Sequence, residues 1–175
     1  YVLAQLYQMD GEREAARNAY QKVIKMQPSN EMDFNARLRL AQLEKSPQDG
    51  IKLLNKMAKL DKNKDQLDQI YGTIGDVYLA QKDTVKALEY YEKAIESSVQ
   101  HGMAKAKVLV TAGDIYYQQR NYIKASPCYK EATQILSAES EQYARIQAWA
   151  KDVRSGDPDN FEGRAAAYYW RYLFG

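Results

Sequence analysis

The sequence predicts an all-α fold built from repeated antiparallel helix pairs. Three observations carry this expectation. One stretch of the chain recurs 38 residues later without a gap. Inside the recurring stretch, apolar residues fall at steps of three and four, the spacing of one helix face. Only 9 Gly and 4 Pro occur in 175 residues, too few for the many turns of an all-β chain.

The recurrence is read directly. Tyr71–Tyr78 is YGTIGDVY and Leu109–Tyr116 is LVTAGDIY. Gly75 corresponds to Gly113, Asp76 to Asp114 and Tyr78 to Tyr116; further on, Ala87 matches Ala125, Tyr91 matches Tyr129 and Ala94 matches Ala132. Within one unit Ile74, Val77 and Tyr78 mark a first helix, and Val85, Leu88, Tyr91 and Ile95 mark a second. Asp83, and Asn121 in the next unit, carry the short side-chain oxygen that caps a helix N-terminus. Each unit is therefore a helix, a tight polar turn and a second helix.

These residues resemble the tetratricopeptide repeat (TPR). That family has small residues at two helix-crossing positions, here Gly75/Gly113 and Ala87/Ala125, and aromatics at two packing positions, here Tyr78/Tyr116 and Tyr91/Tyr129. Helices approach to ~8 Å only where the crossing lacks bulk, and aromatics fill the wedge left between units. Leu3, Ala4, Tyr7, Asp10, Gly11, Ala16, Tyr20, Val23 and Pro28 repeat the pattern at the start of the chain, with its leading residues missing. Phe34, Leu38, Ala41, Gly50, Leu54 and Met57 trace a divergent unit in which Ser46–Pro47 reads as an N-cap followed by Pro at the first helical position. Pro127 lies past the first turn of its helix and removes a backbone hydrogen bond, so a kink or a late helix start is expected there.

The pattern divides the chain into residues 1–30 (a truncated first unit), 31–63 (the divergent unit), 64–101 and 102–137. A capping helix at 138–153, a loop at 154–160 and a C-terminal helix at 161–175 follow. The chain begins at Tyr1, without Met or signal peptide, directly in a helical pattern; a cut or processed N-terminus is expected, and no targeting segment indicates localisation.

The resemblance implies a right-handed superhelical solenoid with a concave groove lined mainly by first helices. It places Gln5, Gln8, Asn35, Arg39, Gln42, Asp76, Asp114 and Tyr117 on that groove, where polar side chains with a few aromatics suit an extended peptide or a partner helix. The alternative is a structural spacer whose polar positions are simply solvated. The family's clamp for acidic chaperone tails needs Lys and Asn at set positions, whereas Tyr1 and Gln5 stand there, so that specialisation is excluded. The segment Leu54–Tyr71, followed by Gly75–Leu79, is similar to TPR lipoproteins of gliding motility and type IX secretion, as is Tyr122–Tyr129. That likeness implies assembly work in a bacterial cell envelope, with a periplasmic location.

The tail carries a different resemblance. Val153–Gly163 (VRSGDPDNFEG), then small residues, Tyr169–Trp170 and Leu173–Gly175, resembles the integrase of CRISPR adaptation. In that family the equivalent of Glu162 is a divalent-metal ligand, and its His and Asp partners lie downstream of the matching segment. His101 does not map to them, and one carboxylate cannot hold a catalytic ion. The resemblance implies an inactive fragment fused to the repeats, artificially or by natural rearrangement. The bland alternative is a helix that caps the last repeat through Ala165, Tyr168, Tyr169, Tyr172 and Leu173.

Composition removes other classes. Charged residues at 27% and hydrophobic residues at 45% are ordinary for a globular chain, which excludes wholesale disorder. Lys plus Arg total 25 against 23 Asp plus Glu, so net charge is +2 and nothing favours nucleic acid or an anionic membrane. Basic and acidic residues interleave, as in Glu89, Glu92, Lys93 and Glu96, which reads as a solvated helix face. No apolar run approaches the ~18 residues of a membrane helix. One Cys and one His exclude a disulfide framework and a Cys/His zinc site. Cys128 reads as a packed, inert thiol and His101 as a connector residue. Asp157, Asp159, Asn160 and Glu162 fail the EF-hand spacing because Phe161 occupies the fifth position. No Gly-rich phosphate loop or Ser/His/Asp triad is present, so neither an enzyme nor a cofactor is expected. The 15 Tyr are read mostly as repeat packing, with Tyr1 and Tyr117 as the groove aromatics. The sequence leaves the partner's identity and the oligomeric state open.

Overall fold

The computed structural model describes residues 1–136. Helices α1 (Val2–Met9), α2 (Arg13–Lys25), α3 (Asn30–Leu43) and α4 (Pro47–Ala58) are followed by a 3₁₀ helix, Asp61–Gln66. Then come α5 (Leu67–Ala80), α6 (Thr84–Ser97), α7 (Met103–Gln118) and α8 (Tyr122–Ile135). No strand occurs among the described residues. The all-α arrangement of helix pairs is the one the repeat predicts. The expected capping helix at 138–153, the loop at 154–160 and the helix at 161–175 with Glu162 lie outside the described residues. The chain divides into two compact units, residues 1–90 and 91–175.

The turns inside three pairs are built alike. Gly11, Lys82 and Arg120 all have positive φ, at +77°, +63° and +59°. At each turn two backbone N–H groups reach back to the end of the first helix. Gly11 N–H donates to Gln8 and Glu12 N–H to Tyr7; Lys82 donates to Leu79 and Asp83 to Tyr78; Arg120 donates to Tyr117 and Asn121 to Tyr116. This is the Schellman pattern, which satisfies the orphan carbonyls of a helix C-terminus. The last residue of each turn then starts the next helix. Asp83 Oδ1 accepts from Lys86 N–H at 3.1 Å and Asn121 Oδ1 from Lys124 N–H at 3.3 Å, the caps expected from sequence.

In the first unit α3 is covered on two sides. Ala36, Leu40 and Leu43 pack with Ala16, Tyr20 and Val23 of α2. Phe34, Leu38 and Ala41 pack with Ile51, Leu54 and Met57 of α4 and with Ile70 and Ile74 of α5. The guanidinium of Arg13 closes the C-terminus of α3, donating to the carbonyls of Gln42, Leu43 and Glu44 at 3.2, 3.3 and 2.8 Å. A cation there also complements the helix dipole. Gly50 lies against the backbone of α3: a Cβ at this position would collide with the carbonyl oxygen of Ala41.

The second unit repeats the close approach with a different neighbour. A Cβ on Gly113 would sit 2.6 Å from Cε1 of Tyr129, whose ring is fully buried between α7 and α8. Ala125 and Ala132 are buried on the same side of α8 as Tyr129.

One expectation needs correction, and of the two alternatives at Pro127 one is removed. Val85, read as part of the apolar face of its helix, is 76% exposed, because the buried face of α6 runs through Ala87, Tyr91 and Ala94 instead. The helix carrying Pro127 does not start late; α8 begins at Tyr122 and contains the proline. The missing N–H would have bonded the carbonyl of Ile123, and both residues are exposed, so water can satisfy that carbonyl.

The turn geometry yields a prediction. Lys82 and Arg120 hold the left-handed conformation that Gly11 adopts without steric cost. Lys82→Gly and Arg120→Gly are each expected to stabilise the chain by about 0.5–1 kcal/mol in chemical denaturation. A loss of stability at both positions would contradict this assignment.

Candidate functional site

The residues expected to line a groove all lie on the first helix of a pair. Gln5 and Gln8 are on α1, Asn35, Arg39 and Gln42 on α3, Asp76 on α5, and Asp114 and Tyr117 on α7. The first six belong to the first unit and the last two to the second. On α3 the three polar residues follow i, i+4, i+7 spacing, so they share a face separate from the two apolar faces described above. Arg39 is exposed, and Asn35 and Gln42 are half-buried.

The structure brings Gln8, Tyr20 and Arg39 together. Tyr20 projects from α2 with its ring buried and donates its hydroxyl proton to Gln8 Oε1 at 3.1 Å. Tyr1 meets the same ring edge-on, with centroids 5.8 Å apart. Burial holds the Tyr20 hydroxyl above its usual pKa and Tyr1 adds to this, while the Arg39 charge acts in the opposite direction. Gln8 is thus already engaged from below. The sequence pattern marked Tyr20 as a packing aromatic but did not reveal that its hydroxyl positions a neighbouring amide.

In the second unit Asp114 and Tyr117 stand near the buried hydroxyl of Tyr129, whose pKa is raised by burial first and then by Asp114. Tyr117 packs edge-on against Tyr122, with centroids 5.5 Å apart. Tyr116 donates to Glu92 Oε1 at 2.6 Å, and burial together with this bond pushes its pKa up.

Sequence reasoning missed a cation–π contact that recurs. Lys86 Nζ lies 5.3 Å from the centroid of Tyr78, and Lys124 Nζ lies 5.3 Å from that of Tyr116. Both members shift by 38 residues, so the recurrence was visible in the lysines as well as the tyrosines. It pins the first turn of a second helix onto the last turn of the preceding one. Also missed was Lys105, a buried lysine whose ammonium meets Glu131 Oε1 at 2.5 Å and His101 Nδ1 at 3.0 Å. His101 itself sits in the α6–α7 connector with φ +47°.

No group of three His, Cys, Asp or Glu side chains able to hold a metal ion occurs among the described residues. No helix among them is long and apolar enough to cross a membrane. Cys128 is half-buried, and its thiol pKa is pushed up to about 11, first by burial and then by Glu131 and Glu92. Its thiolate is scarce at neutral pH. Alkylation by iodoacetamide at pH 7.5 is expected to run about tenfold slower than for an unstructured thiol, and to accelerate as pH rises toward 11. A rate at or above that of the free thiol would show an activated cysteine.

Comparison with known proteins bears on the repeats and the fold. Two family profiles, both described as tetratricopeptide repeat, match residues 1–30 and 66–138. No curated protein matches the chain. Among solved structures, MamA is 19% identical with a TM-score of 0.59, over 97% of this chain and 93% of that one. BtubC (BKLC) from P. vanneervenii is 16% identical with a TM-score of 0.69, over 99% of this chain and 78% of that one. Pseudomonas aeruginosa pilF is 18% identical with a TM-score of 0.61, over 96% of this chain and 70% of that one. At these identities the likeness shows the fold alone, all-α and built from helix pairs.

Proposed function

We propose that this chain, which carries tetratricopeptide repeats, is a non-enzymatic scaffold that binds a protein or peptide through the polar faces of its first helices. The repeats themselves support a protein-interaction scaffold. The observation that carries the finer reading is the division of labour on α3. Two faces are consumed by packing, while Asn35, Arg39 and Gln42 remain on a third, with an exposed guanidinium at its centre. Polar groups on a rigid helix face offer directional hydrogen bonds at little ordering cost, which suits recognition of an extended segment or a helix. The residues proposed as contacts are Gln5, Gln8, Asn35, Arg39, Gln42 and Asp76 in the first unit, and Asp114 and Tyr117 in the second. The similarity of residues 54–71 and 122–129 to gliding-motility and type IX secretion lipoproteins favours a partner in a bacterial envelope or secretion assembly.

Arg39→Glu tests the reading. The side chain is exposed. Partners captured by the full chain from a bacterial envelope extract are expected to be lost or weakened about tenfold by this reversal, with helicity unchanged by circular dichroism. Capture indifferent to Arg39→Glu and to parallel substitutions at Asn35 and Gln42 would favour the spacer.

A further inference from the structure

A recess lies on the opposite side of α3 from Asn35, Arg39 and Gln42. It measures about 310 Å³ and opens between α3, the C-terminal end of α4 and the 3₁₀ helix. Its floor is apolar: Phe34 and Met57 are buried, and Leu53 and Leu60 line it beside them. The connector is held in place by Asn63, a buried side chain whose Nδ2 donates to the carbonyl of Met57 at 2.8 Å. Around the mouth stand Asp33, Arg37, Lys56 and Lys62.

The charge at the mouth is unequal. Asp33 takes two contacts from Arg37 Nε, both 3.0 Å, and a looser one from Lys62 at 3.7 Å. Its carboxylate is 15% exposed and is spent on these two cations. Lys56 has no ion-pair partner among the described residues. Three cations therefore stand against one carboxylate, a net charge of +2 beside an apolar floor. The volume is at the low end of the ~300–1,000 Å³ range of ligand sites, enough for one bulky side chain and small for a cofactor.

We infer that this recess binds a short acidic peptide segment, with one bulky apolar side chain entering between Phe34, Leu53, Met57 and Leu60 and flanking carboxylates meeting Lys56 and Lys62. The site stands on a different face of α3 from the groove residues, so either can fail without the other. The charge complementarity selects the occupant: a neutral apolar segment would leave Lys56 and the net positive charge of the mouth unanswered, and a basic one would be repelled.

The test uses the full chain labelled at its methionine methyls and the capped peptide acetyl-Glu-Phe-Glu-amide. The Met57 methyl resonance is expected to shift saturably, with weaker binding at high salt. The exposed double reversal Lys56→Glu/Lys62→Glu is expected to weaken binding roughly fivefold or more while the methyl spectrum stays folded. A Met57 methyl that does not move at millimolar peptide would overturn the inference. So would equal binding of acetyl-Lys-Phe-Lys-amide or acetyl-Glu-Ala-Glu-amide, or undiminished binding by the double reversal.

Discussion

The structure depends on how closely paired helices can cross. In the second unit the ring of Tyr129 occupies the space a side chain at position 113 would need. In the α3–α4 pair, Gly50 lets one helix rest on the carbonyl of the other. The same rule appears in the sequence as residues twelve apart: Ala4 with Ala16, Gly75 with Ala87, Gly113 with Ala125. Leu38 with Gly50 departs from it: there the second helix carries the glycine, and the space its Cβ would need is held by the carbonyl of Ala41. Close-packed interiors tolerate little else, because even one methylene in the wrong place must be accommodated by shifts elsewhere.

That constraint has a functional consequence. A helix fixed by packing on two sides presents its remaining faces in a defined orientation. On α3 one such face carries Asn35, Arg39 and Gln42, and the opposite one carries Asp33 and Arg37. The side chains between them are spent on the core. Tyr20 shows the coupling in miniature: its ring is part of the core, while its hydroxyl holds the amide of Gln8.

Much of this was legible in advance because the repeat is periodic and helices have a fixed period. The buried positions Tyr20, Leu54, Ile74, Tyr91 and Tyr129 follow from spacing alone, as do the caps at Asp83 and Asn121. What spacing does not encode is how a helix end is offset against its neighbour. Val85 fits the apolar rhythm, yet it lies in the first turn of α6, outside the buried stripe of Ala87, Tyr91 and Ala94. The 3₁₀ helix was hidden for a different reason. Its residues, Asp61–Gln66, are polar and resemble a solvated connector, and only the tertiary bond from Asn63 to Met57 reveals that the segment is anchored. The candidate faces were partly legible: helical spacing grouped Asn35, Arg39 and Gln42, and also Asp33 with Arg37, but Lys62 joins that pair only through the fold of the connector.

The most direct test of the crossing constraint is a double-mutant cycle between Gly113 and Tyr129, measured by chemical denaturation. If the ring of Tyr129 occupies the place of a Cβ, Gly113→Ala in the native background costs about 1–3 kcal/mol, despite the better helix propensity of alanine. In a Tyr129→Leu background, where the ring edge is gone, the same change becomes neutral or mildly stabilising. An alanine tolerated equally in both backgrounds, or stabilising beside the intact tyrosine, would contradict the account.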